Sequence, residues 1–439
     1  MTHRYTKSLC FVIMFIVTCS VKAQNGVNSP YSRYGFGLLS DQSVGAIKGM
    51  GGASLGLRES NAINFQNPAS YSAIDSLSFL FDAGLSIQNA NFSGSGKRVN
   101  AHNASIDYIN VAFRAWQHVG MSIGFMPYSN IGYKFSGNET LEDIDGYGEK
   151  TAKSSYSGDG GLHQFYLGIG WEPIQDLSIG LNASYLWGSY SKDAKVSFSE
   201  TSIQTLHRNY LSDISTYKLD FGAQYSKKFD NKNAITVGVI YGLGHSIKSN
   251  AKFINQTLKS SGSVSSADTI KIANAFALPH TFGAGLSWNH KDQWKVNLDY
   301  NLALWEQVKF PQLTDENGNL RYSSSKGVFE NRHKIALGTE YVPNPLGLRY
   351  KDHICYRAGL SYSTSYTKVN KQNGANDYCV SLGVGLPIAN MNNNRSILHI
   401  SAQWEHVRPQ SKGMITENYL RLCIGLSFNE RWFMKWKVE

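Results

Sequence analysis

His399 and Glu405 share one face of the stretch "SILHISAQWEH", and a histidine beside a carboxylate is the pairing from which general-base catalysis is built. They stand three residue pairs apart, which reads as the lining of a lumen rather than a catalytic pair. Covalent hydrolysis needs a nucleophile, a base and a group that orients the base. No Gly-x-Ser-x-Gly elbow and no His-Glu-x-x-His pair is read among the 12 histidines and many serines. The run "GMGGASLG" has the glycines of a phosphate loop. It follows no strand and lacks the Lys-Ser/Thr ending that would hold phosphate and magnesium. Cys355, Cys379 and Cys423 are odd in number, far apart and set in strand-like runs, so they signal packing and no disulfide framework. No enzyme, cofactor or metal site is expected.

The first residues carry an export address. His3, Arg4 and Lys7 precede an apolar run from Leu9 to Cys19, then Val21-Lys22-Ala23, and cleavage is expected after Ala23. No later stretch approaches the roughly 18 apolar residues of a spanning helix, and mean hydropathy is −0.30. That excludes a helical membrane protein and leaves a β-barrel open, since alternating strands average to a polar value. Tyrosines number 25 and glycines 41, and both suit a barrel. The net charge of +10 comes without any sustained cluster of Lys and Arg. It fits anionic lipid headgroups or sugars around an exported barrel, not nucleic acid.

Period-2 alternation is the dominant pattern. In "WKVNLDYNLAL", Trp294, Val296, Leu298, Tyr300, Leu302 and Leu304 oppose Lys295, Asn297, Asp299 and Asn301. A water-soluble sandwich would bury such faces in strands of about five or six residues. The runs here are roughly ten to twenty residues long, the length of a tilted bilayer crossing. Strands are expected near 77–92, 102–116, 118–135, 155–171, 176–197, 205–228, 233–253, 271–289, 293–308, 329–342, 352–369, 376–387, 396–408 and 416–428. The even number, the short turns at "QH", "EPIQ", "DNKN" and "HKD", and the polar loops at 136–154, 254–270 and 309–328 predict an all-β antiparallel transmembrane barrel of about 14 strands. The expected division is a signal peptide at 1–23, a hatch or plug at 24–74, the barrel at 75–428 and a periplasmic tail at 429–439, with Trp432, Phe433 and Trp436 near the membrane edge. Arg114, Lys218, Asp220, Lys295, Asp299 and Glu405 fall on the inward face and are expected to form a polar network bracing the plug.

Residues 24–74 contain no good alternating strand and are rich in Gly, Ala, Ser and Asn. Irregular backbone at membrane depth must be buried in protein or lie in a water-filled cavity, so this segment belongs inside the barrel. Within it, Pro68 lacks an N–H and restrains its predecessor, while the Asn67 side chain can bond nearby backbone in a turn. Tyr31, Tyr34 and Phe36 offer either an apolar surface in the lumen or an anchor to the wall.

The segment "GMGGASLGLRESNAINFQNPASYS" ahead of such a barrel resembles the N-terminal hatch of the FadL-like family of outer-membrane transporters. Asn67-Pro68-Ala69 looks like that family's hatch motif, and Gly51, Gly52 and Ala53 are similar to its small-residue run. The opening "SPYSRYG" and closing "GLSFNERWF" resemble a branch found in Bacteroidota-type outer membranes. The resemblance implies passive passage of hydrophobic small molecules, long-chain fatty acids or aromatic compounds, with a shift of the hatch and exit through a lateral opening. It also implies outer-membrane lipid and lipopolysaccharide as surroundings. The amphipathic last strand, "NYLRLCIGLSF", resembles the signal read by barrel-assembly machinery during biogenesis. Two alternatives stay open: a PorV-like component of type IX protein secretion, and a structural or adhesive barrel.

Overall fold

Alternation in the chain becomes a closed wall with a wet side and a lipid side. The structure, a computed structural model, describes residues 27–431 apart from 77, 95, 142–149, 201, 231, 317–318, 370–371, 389–395 and 412. The expected signal peptide and Trp432, Phe433 and Trp436 therefore lie outside the described residues. Fourteen antiparallel strands follow one another round the ring. The first six are β1 (Ser78–Gly94), β2 (Lys97–Trp116), β3 (Val119–Leu141), β4 (Lys150–Ile174), β5 (Leu177–Phe198) and β6 (Thr205–Lys228). Five short strands continue it: β7 (Asn233–Gly242), β8 (Thr281–His290), β9 (Trp294–Ala303), β10 (Arg332–Tyr341) and β11 (Cys355–Ser363). The last are β12 (Asn376–Pro387), β13 (Ile397–Arg408) and β14 (Thr416–Arg431). Pairing of β1 with β14, from Ser78 opposite Arg431 to Ser93 opposite Thr416, closes the ring. The barrel and the strand number agree with the expectation from the sequence.

The outward positions carry the apolar set. Leu298, Tyr300, Ile335, Leu337, Leu360, Leu420 and Leu422 are exposed, with nothing among the described residues covering them, which only a lipid environment tolerates on this scale. Aromatic residues mark two levels of this surface, for example Trp294 and Tyr300 on β9, Trp288 and Phe282 on β8, and Trp171 and Phe165 on β4. Six residues separate the levels, roughly 20 Å along a strand at about 3.3 Å per residue. They match the interfacial girdles of membrane barrels. Inward positions are polar and buried, among them Asn110, Gln164, Asn182, Gln224, Asn297, Arg357 and His399.

The wall is uneven. Strands β3 to β6 have 22 to 25 residues, whereas β7 to β11 have 9 or 10. Here the structure corrects the expected strands at 233–253 and 271–289. The chain leaves the wall after Gly242, and Gly244 packs against the backbone of Pro279 and His280 as the chain returns. Pro279, without an N–H, cannot extend the ladder of β8. In between, Ala251–Leu258 pairs with Val264–Ile272 and with residues 205–212 of β6, so the stretch 254–270 is largely a hairpin rather than a loop. Phe310–Glu316 and Asn319–Ser325 form another hairpin where a loop was expected. Both lie toward the long-loop end. There, Phe36, Phe253, Phe276, Trp305, Phe310, Phe329 and Tyr366 belong to one buried cluster.

Residues 27–74 lie within the ring. They form three short 3₁₀ helices, Pro30–Arg33, Gly45–Met50 and Pro68–Ala73, and a two-residue strand, Leu38–Leu39. Gly45–Met50 packs on β10 to β13, and Pro68–Ala73 on β3 to β6, so the segment bridges opposite walls. The wall meets it with glycine. A Cβ on Gly180 would overlap the backbone of Pro68 and Ala69, and one on Gly238 the carbonyl of Leu55. Gly120, Gly170, Gly180 and Gly222 stand opposite one another in successive registers, which lets the backbone of the segment lie directly against the sheet.

Candidate functional site

The buried segment is fixed by side chains from both directions. Asn67 accepts a hydrogen bond from the Ala69 N–H (3.2 Å) and donates to the Leu55 carbonyl (2.8 Å), tying two turns together, and Pro68 opens the short helix that follows. Gly51 donates its N–H to Ser381 Oγ (2.8 Å). Gly51 and Gly52 both take positive φ, +65° and +83°, which turns the chain after the helix at low steric cost. From the wall, Asp299 accepts from the N–H groups of Ser54 (2.5 Å) and Leu55 (2.8 Å). Lys295 bridges Glu59 (2.7 Å) and Glu340 (3.1 Å), and Glu340 also holds Arg357 (2.6 Å).

The six charged residues expected in one network occupy three places. Lys295 and Asp299 touch the segment. Lys218 pairs with Asp220, and Glu405 with Arg421, both pairs facing the lumen cavity. Arg114 sits near the short-turn end and donates to the Trp116 carbonyl (3.3 Å). His399 is buried between Arg357 (2.9 Å) and Ser427 (2.9 Å), well apart from Glu405 in the bonding pattern. Sequence reasoning missed the segment's own cations. Arg58 reaches Glu172 (3.0 Å), Ser72 and Ser178, and Lys48 reaches Asp107 (3.0 Å). Burial works against the Lys48 ammonium, but the Asp107 and Asp41 carboxylates outweigh it and hold its pKa above the ordinary lysine value. No periodicity runs through residues 27–74, so nothing in the sequence distinguished these cations from surface charges.

Contrary to the motif reading, Gly52-Ala53-Ser54-Leu55-Gly56 does spell Gly-x-Ser-x-Gly. Ser54 is fully buried, its hydroxyl has no hydrogen-bond partner, and it follows a 3₁₀ turn instead of a strand, so no base reaches it. Among the described residues no group of three His, Cys, Asp or Glu side chains could hold a metal.

The wall opens between β2 and β3. β2 pairs with β1 from Lys97 to Phe113, but with β3 only where Ile109–Trp116 meet Phe125–Val119. Beyond Phe125 the two strands separate. Pro127 marks the departure, and the register shifts there against β4. The edge that β3 takes away from β2 is occupied by Leu38 and Leu39, which pair with Asn130 and Ser129. The bend crosses neighbouring strands at matching levels, through Gly160 and Gly161 on β4 and Gly188 on β5. A Cβ on Gly161 would overlap the Ser129 carbonyl, so the crease requires glycine.

A cavity of ≈ 1250 Å³ connects these parts. Inside, it is lined by Tyr128, Asp220, Arg332, Lys334, Glu405 and Arg421; at the gap by Leu39, Ser105, Ile106, Asp107 and Pro127; and on the outer wall by Leu85, Ile87, Phe125, His163 and Trp187. It is therefore continuous from the polar lumen to the lipid-facing surface. Its lumen side is strongly charged, with Asp41, Lys218, Asp220, Arg332, Lys334 and Arg421 among the lining, whereas its gap and outer side are aromatic and aliphatic, a surface that suits an apolar ligand.

No curated protein matches the chain. Among solved structures it is similar to the Pseudomonas putida toluene transporter TodX, at 15% identity and a TM-score of 0.61 over 90% of this chain and 100% of that one. A Pseudomonas aeruginosa FadL homologue aligns at 12% identity and a TM-score of 0.60, over 90% and 99% of the two chains. The Ralstonia pickettii toluene transporter TbuX aligns at 12% and 0.55, over 88% and 98%. At such identities the likeness speaks for the fold, and the fold is that of FadL-like barrels. The family model BamG matches residues 5–439, and the chain belongs to the BamG family.

Proposed function

We propose that the chain is an outer-membrane protein that carries hydrophobic small molecules, receiving them in the lumen cavity and exchanging them with the membrane through the gap between β2 and β3. The observation that carries this reading is the continuity of that cavity from the lumen to the lipid-facing wall. An apolar solute gains nothing from an aqueous pore but gains by passing from an apolar pocket into lipid. The segment 27–74 closes the axial path, and its clamped charges favour a lateral route over displacement of the plug. Two of the proteins it resembles in structure, TodX and TbuX, are toluene transporters. Long-chain fatty acids or aromatic compounds are the solutes that the FadL-like resemblance favours, in a Bacteroidota-type branch. The test is mass spectrometry of the intact barrel extracted from its own membrane, together with cellular uptake of the molecule found. Ser105→Trp, which fills the gap, is expected to abolish both co-purification and uptake. An empty lumen in the unaltered protein, or full uptake by the variant, would overturn the reading.

A second reading comes from the family. Its name hints at barrel assembly, and the turn 343–354 presents Leu346 and Leu348 almost fully to solvent. An accessory subunit beside barrel-assembly machinery would use such a turn. Stoichiometric recovery of an assembly protein with the tagged full chain, lost in a Leu346→Ser/Leu348→Ser variant, would establish it. The secretion and adhesion alternatives have no comparable observation behind them.

A further inference from the structure

The long strands β3 to β6 outrun the short ones as one sheet, and the hairpin of Ala251–Leu258 and Val264–Ile272 widens that sheet by two strands. The hairpin pairs with β6 beyond Tyr217, the last exposed large apolar side chain of that strand on the long-loop side, so it stands clear of lipid. An open sheet has edges, and an edge presents a row of unpaired N–H and C=O groups that another chain can meet. The edge on β3 is covered from within. Leu38 and Leu39 pair with Asn130 and Ser129, and Ser32 Oγ donates to the Gly132 carbonyl (3.2 Å) and accepts from its N–H (3.1 Å). Across the gap, the unpaired flank of β2 is bulged at Asp107 and carries Lys97, Arg98 and His102, features that blunt an edge. The hairpin 310–325 has Pro311, which cannot donate to a ladder.

Val264–Ile272 is protected in none of these ways. It pairs with Ala251–Leu258 on one side, and among the described residues no strand pairs with the other. Its irregularity lies at the hairpin tip. From Ser266 to Ile272 the register is unbroken, without proline and with Asp268 and Lys271 as the charges. Val264 to Thr269 are exposed, while Ile270 and Ile272 pack on the aromatic cluster. The hairpin is also fixed in place. Ser212 Oγ donates to the Asn250 carbonyl (2.9 Å), the Ser215 N–H donates to Ser249 Oγ (3.2 Å), and Phe253 packs on Tyr210 (5.0 Å) and Tyr322 (5.1 Å). An edge held extended in advance lowers the ordering cost of binding.

We propose that Val264–Ile272 is a docking strand for another polypeptide at the cell surface, which adds an extended segment of about seven residues to this edge. Backbone hydrogen bonds supply the affinity, and alternate side chains supply the specificity. The segment is apolar on the face shared with Ile270 and Ile272, and polar on the face shared with Thr269 and Lys271. A second copy of this chain suits the edge poorly. Copies in one membrane share an orientation, so their like edges cannot run antiparallel, the pairing this hairpin already uses. The inference does not rest on the transport reading, since no residue of the hairpin lines the lumen cavity.

The test uses the full chain in phospholipid nanodiscs and a fluorescein-labelled peptide, AKFINQTL, a copy of Ala251–Leu258 whose alternation already matches this strand. Anisotropy is expected to show saturable binding below about 1 mM. Two further peptides carry N-methyl groups on alternate residues, one on each set. An added strand bonds along one edge, so one isomer should keep its affinity and the other should lose about thirtyfold or more. Benzoylphenylalanine in place of Thr269 should cross-link the peptide on illumination, and in place of Leu360 on the lipid face it should not. A heat-shifted band on gels confirms that each variant is a folded barrel. No saturable binding, equal losses with the two isomers, or equal cross-linking from both positions would overturn the proposal. Cross-linking of Thr269 to a second copy of the chain, at the expense of the peptide, would overturn it too and give the edge to self-association.

Discussion

The Lys48–Asp107 pair joins the inner segment to the wall where the wall comes apart. Asp107 lies at the bulge of β2, two residues from the point at which β3 departs. Both side chains are largely buried, so removing one partner strands the other charge. Lys48→Met is expected to lower stability by about 3 kcal/mol, read as the denaturant midpoint of the detergent-solubilised barrel. Lys48→Met/Asp107→Asn should recover more than half of that loss. Two independent, additive losses would show that the pair does not couple. At this scale the sequence was informative only on one side. Asp299 and Lys295 were legible as inward-facing because β9 alternates cleanly, whereas Lys48, Arg58 and Glu59 sit in a segment without a period.

Elements were read well where pairing is regular. β6, β12 and β14 begin where the alternation begins, and the ring of fourteen follows from counting such runs. The failures fall where the chain leaves the ring. From Gly242 to Thr281 the alternation continues into a hairpin that stacks beyond the membrane wall, and period alone cannot tell a wall strand from a strand above it. The glycines of the wall did leave a signal, since Gly120, Gly170, Gly180 and Gly222 all lie on the otherwise polar face of their strands. Their meaning required knowing what presses against them. Gly180→Val places two methyl groups in the backbone of Pro68 and Ala69, which cannot yield without moving the whole turn. The expected outcome is a barrel that still shifts on heating but whose residues 27–74 are cut by added protease. Unchanged protection would mean that the segment does not depend on that contact.

At the scale of the whole molecule, a wall apolar outside and polar inside encloses a segment that touches most of it. Lipid holds the outside by area, and the lumen is held by hydrogen bonds and ion pairs, so the two halves of the stability respond to different conditions. Raised ionic strength weakens exposed pairs far more than buried ones. The pairs that hold the segment are half-buried or better, and protection of residues 27–74 from protease should persist from low salt to about 1 M salt. Loss of protection over that range would place those pairs in open water. The division also explains what the sequence could convey: the lipid side is written in a period of two, and the inside is written in single contacts between distant residues.

The closed pairing of β1 with β14 bears on how the inner segment comes to be enclosed. The segment 27–74 precedes β1, and its partner for closure, β14, is made last. To enter a ring already sealed, the segment would have to draw Lys48, Arg58 and Glu59 past an aromatic cluster or along a polar wall that offers each of them wrong partners on the way. Laid against β3 to β6 while the sheet is still open, Pro68–Ala73 meets its row of glycines directly. On that order the segment would serve as a form around which the remaining strands curl, with the seam between β1 and β14 shut last.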